Sequence, residues 1–179
     1  MAPADRRSAA REDLARTGGR DMLVEVVEYD PSWSASFEAE RRRLAPLLAG
    51  VEIHHIGSTA VPGMAAKPIV DLMALVDSYE EPIARLVVDG GYQYPRAFNA
   101  ALVKRRFLLY PRSSMRTHHM HLVDDPVELA RYLRFRDRLR ADPALAGEYV
   151  KLKQALAARY RHDRAAYTEA KSEFVSRHA

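Results

Sequence analysis

The chain contains no cysteine, which excludes disulfides, zinc–thiolate centres and thiol nucleophiles. It also lacks any apolar run approaching the ~20 residues that a membrane-spanning helix needs. Aromatic residues are sparse at 8%, with a single tryptophan. The basic stretches carry no interleaved exposed aromatics of the kind that single-stranded nucleic acid stacks on, so a nucleic-acid partner is not expected. Residues 1–21 hold five arginines (Arg6, Arg7, Arg11, Arg16 and Arg20) and no apolar segment. They read as a flexible N-terminal arm, not a secretory signal. A cytoplasmic location and no membrane partner are the resulting expectations.

Acidic residues are short in one region only. Residues 126–179 contain twelve Lys and Arg against seven Asp and Glu, a net of +5, whereas the first 125 residues contain sixteen and seventeen, a net of −1. All of the positive excess therefore lies in the C-terminal third. Such asymmetry suits a small anionic ligand and is too mild for duplex DNA.

The 179 residues, 47% apolar and 29% charged, suffice for one globular domain with a substantial core. Residues 24–29 read as a strand. Asp30-Pro31-Ser32 opens a helix over 33–49 with Trp33, Phe37, Leu44, Leu47 and Leu48 on one face. Strands follow at 51–56 and 69–76, a helix at 79–88, and further strands at 92–94, 107–110 and 118–123. From Pro126 onward the pattern is helical, broken at Asp142-Pro143 and His162-Asp163 into three helices. The expectation is an α+β fold, with a sheet part over about 22–125 and a helical part over about 126–179.

One stretch carries chemistry. His55-Ile56-Gly57-Ser58-Thr59-Ala60-Val61-Pro62-Gly63 is followed by Lys67-Pro68-Ile69-Val70-Asp71. A Gly-Ser at a strand end offers backbone N–H groups and a hydroxyl to phosphate oxygens. An acid on the next strand can hold the divalent cation that accompanies those phosphates. A carboxylate inside an apolar strand is costly unless partnered, so Asp71 demands a reason. On the strand over 118–123, side-chain alternation places His119 and His121 on one face and His118 on the other. His54 and His55 flank the turn.

The C-terminal helices place one cation in or beside each apolar stripe: Arg136 among Leu129, Tyr132, Leu133 and Leu139; Lys153 after Tyr149; and Lys171 beside Tyr167, Ala170 and Phe174. Charges are seldom placed there without partners. Either each has its own acid, such as Asp137 or Glu173, or the three share an anion.

The Gly57-Ser58 and Asp71 order is similar to that of the nucleotidyltransferase superfold. The longer string, continued by Arg116-Thr117-His118-His119-Met120-His121, Phe135-Arg136-Asp137, Lys153 and Tyr167 to Phe174, resembles the GrpB-like family of that superfold over about residues 24–176. The resemblance implies a nucleotidyltransferase-like mixed sheet with flanking helices. It further implies a nucleoside triphosphate substrate bound with a divalent metal, and transfer of a nucleotidyl group to a small-molecule acceptor. Family members also look like the extra domain of some bacterial dephospho-CoA kinases. Gly57, Ser58, Thr59, Lys67, Arg116, Arg136, Lys153 and Lys171 would then contact phosphates, and Asp71, His119 and His121 would hold the metal and act in catalysis.

The chain departs from the superfold pattern at one position. Leu72 and Met73 follow Asp71, so the second strand acid used in two-metal chemistry is missing. The two imidazoles could replace it, which favours Mn or a softer metal over Mg. The competing reading is a non-catalytic nucleotide- or CoA-binding module.

Overall fold

The computed structural model describes residues 23–111 and 115–179. The expected N-terminal arm lies outside them.

The elements follow from local chemistry. Helix α1 spans Ser32–Leu44 and buries Trp33, Phe37 and Leu44, the stripe read from the sequence. It stops five residues earlier than the periodicity predicts. Pro46 accounts for this: it has no N–H to continue the helical ladder, although Ala45 before it keeps helical dihedrals of φ −49° and ψ −46°. Residues 45–50 continue only as turns.

Strand β1 (Ile53–Ile56) and strand β2 (Val70–Leu75) pair antiparallel, with Ile56 opposite Asp71. Helices α2 (Glu80–Val88) and α3 (Arg96–Asn99) carry the chain to β3 (Arg106–Tyr110) and then β4 (His118–Val123). The sheet order is β1-β2-β4-β3, with β2 and β4 parallel and β3 and β4 antiparallel. The sheet is therefore mixed, and its two central strands are buried along nearly their whole length, as strands covered on both faces are.

Two expected strands shrink to single bridges, Val27 with Ala66 and Gln93 with Leu109. The segment opposite Val27 runs from Pro62 through Gly63 to Pro68, and the segment around Gln93 ends at Pro95. Prolines cannot extend a hydrogen-bonded ladder.

The helical part begins at α4 (Pro126–Ala141), followed by α5 (Pro143–Arg159), α6 (Arg164–Ala170) and α7 (Ser172–His178). Aspartates start the first three. Asp125 accepts from the Val127 N–H, Asp142 from Ala144 and Leu145, and Asp163 from Ala166. Each caps free N–H groups, and proline follows the first two at the position where a missing N–H costs nothing. Both expected breaks are thus present, and the third expected helix is divided again at Lys171.

Alternation along the strands sorts side chains into two layers. Val70, Leu72, Ala74, Leu108, Met120 and Leu122 pack with Trp33, Phe37, Leu44 and Leu86 into the main core. Ile56, Met73 and Val123 face the other way, against Leu129, Tyr132 and Leu133 of α4. Asp71, His119 and His121 belong to this second face, beneath the C-terminal helices.

Candidate active site

Asp71 stands at the centre. The parallel register places it opposite His119, and Met73 opposite His121. His119 Nδ1 lies 3.0 Å from Asp71 Oδ1, and His121 Nε2 lies 3.4 Å from the same oxygen. The other nitrogen of His119, Nε2, lies 3.2 Å from Arg164 Nη2 at the start of α6. A guanidinium only donates. His119 Nε2 therefore accepts from Arg164, and Nδ1 carries the proton donated to Asp71. The imidazole stays neutral: burial first, and Arg164 among the nearby charges, push its pKa down to about 3 against the opposing pull of Asp71. Burial alone would raise the Asp71 carboxyl, but the hydrogen bonds from His119 and His121 outweigh it and hold the group well below the usual carboxylate range. The result is a fixed, ionised carboxylate between two neutral rings, with 29% of its side chain open to solvent.

This proton pattern does not fit a resident three-ligand metal centre, because both nitrogens of His119 are already engaged. Among the described residues, no group of three or more His, Cys, Asp and Glu side chains is arranged to hold a metal ion. His121 Nδ1 is buried without a hydrogen-bond partner, but its ring turns Nε2, not Nδ1, toward Asp71.

The Gly57-Ser58 turn packs directly against the acid. Gly57 has φ +71°, and a Cβ there would stand 2.7 Å from Asp71 Oδ2. Glycine is required twice over, by its backbone conformation and by this close approach. Ser58 opens a short 3₁₀ turn over Ser58–Ala60 immediately after β1. It sits not in a strand but at the mouth of the site that Asp71 occupies.

Lys153 reaches this turn from α5. Its Nζ lies 3.0 Å from Ser58 Oγ and 2.5 Å from the Ala65 carbonyl oxygen, and 4.9 Å from the centre of the Tyr149 ring. It is 2% exposed. Burial, and then the charge of Lys171, push its pKa down to about 7. Lys171, at the α6–α7 junction, lies over the Tyr167 ring at 4.3 Å. Burial lowers it to about 8, with Asp71 and Arg164 acting on it in opposite senses. No carboxylate stands within ion-pair distance of either lysine among the described residues.

The structure thus brings together Gly57, Ser58, Asp71, His119, His121, Lys153 and Lys171. It separates others. Arg136 is neutralised by Asp137, with Nε to Oδ1 at 2.7 Å, and donates to the His55 carbonyl. Thr59 Oγ1 is buried between His55 Nε2 at 3.1 Å and the Ile69 carbonyl, pinning the turn. The His55 ring stacks on Phe37 across the sheet, so it belongs to the core side. His54 pairs with Glu52 at 3.5 Å, and His118 bonds Ser36 on the opposite face, as alternation predicts. Arg116 is buried ahead of β4, and Lys67 is half-buried ahead of β2.

Arg164 and Tyr149 escaped the sequence reading as site residues. Arg164 had a signal: a cation on the first turn of a helix opposes the helix dipole and needs another reason to be there. Tyr149 had none, since an aromatic in an apolar stripe is ordinary core. A separate concavity of about 630 Å³ lies between α2 and β3, lined by Tyr79, Ile83, Val87, Tyr92, Tyr94 and Arg106. It shares no residue with this site. No helix among the described residues is long and apolar enough to cross a membrane.

Over 165 residues the chain is 45% identical to a UPF0157 protein of Pseudomonas aeruginosa, covering 88% of this chain and 66% of that one. It is 38% identical to the UPF0157 protein YqkA of Bacillus subtilis, covering 85% of this chain and 45% of the relative. The chain therefore spans between just under half and about two thirds of the length of these two curated relatives. The crystal structure of the conserved protein GrpB from Enterococcus faecalis superposes with a TM-score of 0.73 at 35% identity, covering 86% of this chain and 93% of that one. The expected mixed-sheet α+β architecture is thus also that of a solved relative. The profile described as GrpB protein matches residues 23–179, a span that contains the Gly57-Ser58 turn, Asp71 and both buried lysines, and the chain belongs to the GrpB family.

Proposed function

We propose that this protein binds the phosphate groups of a small phosphorylated molecule, a nucleotide being the class to which the Gly57-Ser58 and Asp71 arrangement is suited. One observation carries the reading: Lys153 and Lys171, without a carboxylate of their own, share one corner with Arg164 and the Ser58 hydroxyl. Two buried lysines without acids repel one another and are expensive to bury. A polyanion would relieve both penalties. A divalent cation would enter with the phosphates as part of the substrate, facing Asp71, instead of residing on the histidines. His119 and His121 act on that acid as positioning groups.

Transfer of a nucleotidyl group to a small-molecule acceptor is the second reading, favoured by the fixed carboxylate beside the Gly57-Ser58 turn. Positioning and charge stabilisation would then supply the rate. Titration calorimetry with ATP, with and without Mg²⁺ or Mn²⁺, tests the first reading, and release of pyrophosphate from ATP tests the second. Saturable binding that is lost in Lys153→Met and Lys171→Met supports the site. Wild-type protein that takes up neither ATP nor inorganic phosphate overturns it.

A further inference from the structure

We infer that Ser58 is a nucleophile and Lys153 its general base, so that the protein forms a covalent phosphoryl–serine intermediate at this site. The inference rests on the phosphate-binding reading and adds a reaction step to it. A serine hydroxyl is a weak nucleophile until an adjacent base takes its proton. The structure puts an amine at 3.0 Å from Ser58 Oγ, within the reach such a pair needs.

The surroundings of Lys153 fit an amine as well as an ammonium. As a cation it would point three N–H groups at Ser58 Oγ, the Ala65 carbonyl and the Tyr149 ring. As a neutral amine it donates to Ala65 and leaves its lone pair for the Ser58 O–H. The groups that face it are Ser58 and Ala65 from the loop after β1, Tyr149 from its own helix, and Lys171 from the α6–α7 junction. None is an acid, and Lys171 adds positive charge. Burial, and then the charge of Lys171, favour the neutral form, and the depressed titration of Lys153 near pH 7 follows. A lysine kept only for structure would ordinarily be paired or reach solvent.

Ser58 itself is only half-buried. It follows a glycine whose missing side chain lets the Asp71 carboxylate pack against the turn. Lys171 and Arg164 remain to hold the phosphoryl oxygens. In the step, Ser58 Oγ bonds to phosphorus as the bond to the leaving oxygen breaks, and the hydroxyl proton passes to Lys153 Nζ. The leaving group departs with its electron pair. Water or an acceptor hydroxyl then attacks the phosphorus and releases its own proton to solvent, Ser58 Oγ leaves with the electron pair of its bond to phosphorus, and Lys153 returns its proton to that oxygen.

Diisopropyl fluorophosphate, an uncharged electrophile that needs no anion site, tests the nucleophile. Intact-mass and peptide mass spectrometry should show one diisopropylphosphoryl group on Ser58 of the full chain. Labelling should vanish in Ser58→Ala and slow at least tenfold in Lys153→Met. Its rate should rise with pH through about 7 in the wild type, while Lys153→Arg stays slow at every pH. Absence of label on Ser58, or equal labelling of wild type and Lys153→Met, overturns the inference. Phosphate titration of the same samples separates the failures: protein that binds phosphate but is not labelled keeps the binding reading and loses the nucleophile. Should Lys153→Met fail to fold, Lys153→Arg, which keeps a cation but supplies no base near neutral pH, decides alone.

Discussion

The two faces of one sheet treat charge in opposite ways. On the side of α1, Glu40 and His118 each have private partners. Glu40 accepts from Arg43 at 2.6 and 2.8 Å and from the Tyr92 hydroxyl at 2.7 Å, and His118 bonds Ser36. Burial raises the Glu40 carboxyl, and the bonds from Arg43 and Tyr92 outweigh it, so it remains an ionised carboxylate. On the side of the C-terminal helices, charge is shared or unmatched: one carboxylate for two imidazoles, one guanidinium for His119, and two lysines without an acid. Closed local accounts make a stable core. Open ones leave interaction energy for a ligand, which is how binding sites are built at the expense of fold stability.

The comparison can be tested by perturbing one face at a time. Leu72→Ala, at a fully buried core position, should destabilise the fold by ~2–5 kcal/mol. Urea titration measures this, and phosphate affinity per folded molecule should stay unchanged. A coupled loss of both would show that the faces are not independent.

Asp71→Ala should cost ~1–3 kcal/mol, because it leaves the His119 Nδ1–H buried without its acceptor. It should also abolish the metal-dependent part of nucleotide binding in calorimetry. Gly57→Ala introduces a side chain at φ +71° and at 2.7 Å from the carboxylate. A loss of about 1–2 kcal/mol from the left-handed backbone alone is expected, with nucleotide affinity reduced further by the displaced acid. Thermal unfolding and titration together separate the two effects.

Stability should vary with pH on both flanks. His55 and His119 have folded pKa values of about 4 and about 3, below their ordinary 6.5. The unfolded chain therefore binds protons that the fold refuses, and stability should fall as pH drops from about 6.5 toward 3. Asp71 adds to this acid loss, since its lowered pKa stabilises only while the carboxylate persists. Lys153 and Lys171 titrate in the fold near 7 and 8 instead of 10.5. Ligand-free stability should thus rise as pH increases from about 7 to about 10, where the unfolded chain still holds those protons. Saturating phosphate should flatten this rise, because it binds the protonated lysines. Unfolding temperatures recorded across pH with and without phosphate check both signs.

The smallest effect is expected at Arg136→Ala. Its partner Asp137 is more than half exposed, so the loss should stay within ~1 kcal/mol and phosphate affinity should not change. A large affinity loss would place Arg136 back among the ligand-binding cations.

Much of this was legible without coordinates. The Gly57-Ser58 turn, the lone strand acid, the separation of His119 and His121 from His118, and two of the three helical cations come from alternation and helical periodicity, which are local rules. The expected first strand shrinks to one bridge because Pro62 and Pro68 lie in its partner segment, elsewhere in the chain, whereas Pro46 at the end of α1 and Pro95 after the segment 92–94 are local breaks that apolar patterning alone does not register. Arg136 and Lys153 illustrate the limit. Both sit on an apolar stripe in the sequence, yet one has an acid as its chain neighbour and the other meets only a hydroxyl and a carbonyl from 95 and 88 residues away.

The sequence by itself determined the element types, the capped helix starts at Asp125, Asp142 and Asp163, and which strand residues share a face, since each depends on neighbours a few positions apart. Only the tertiary structure decided which charges are matched. It brought Arg164 to His119 and thereby fixed the proton that His119 donates to Asp71. It also placed Lys153 on Ser58 with no acid near. The physical reason is that a charge is stabilised or penalised by whatever lies within a few ångströms in space, and periodicity along the chain carries no information about that.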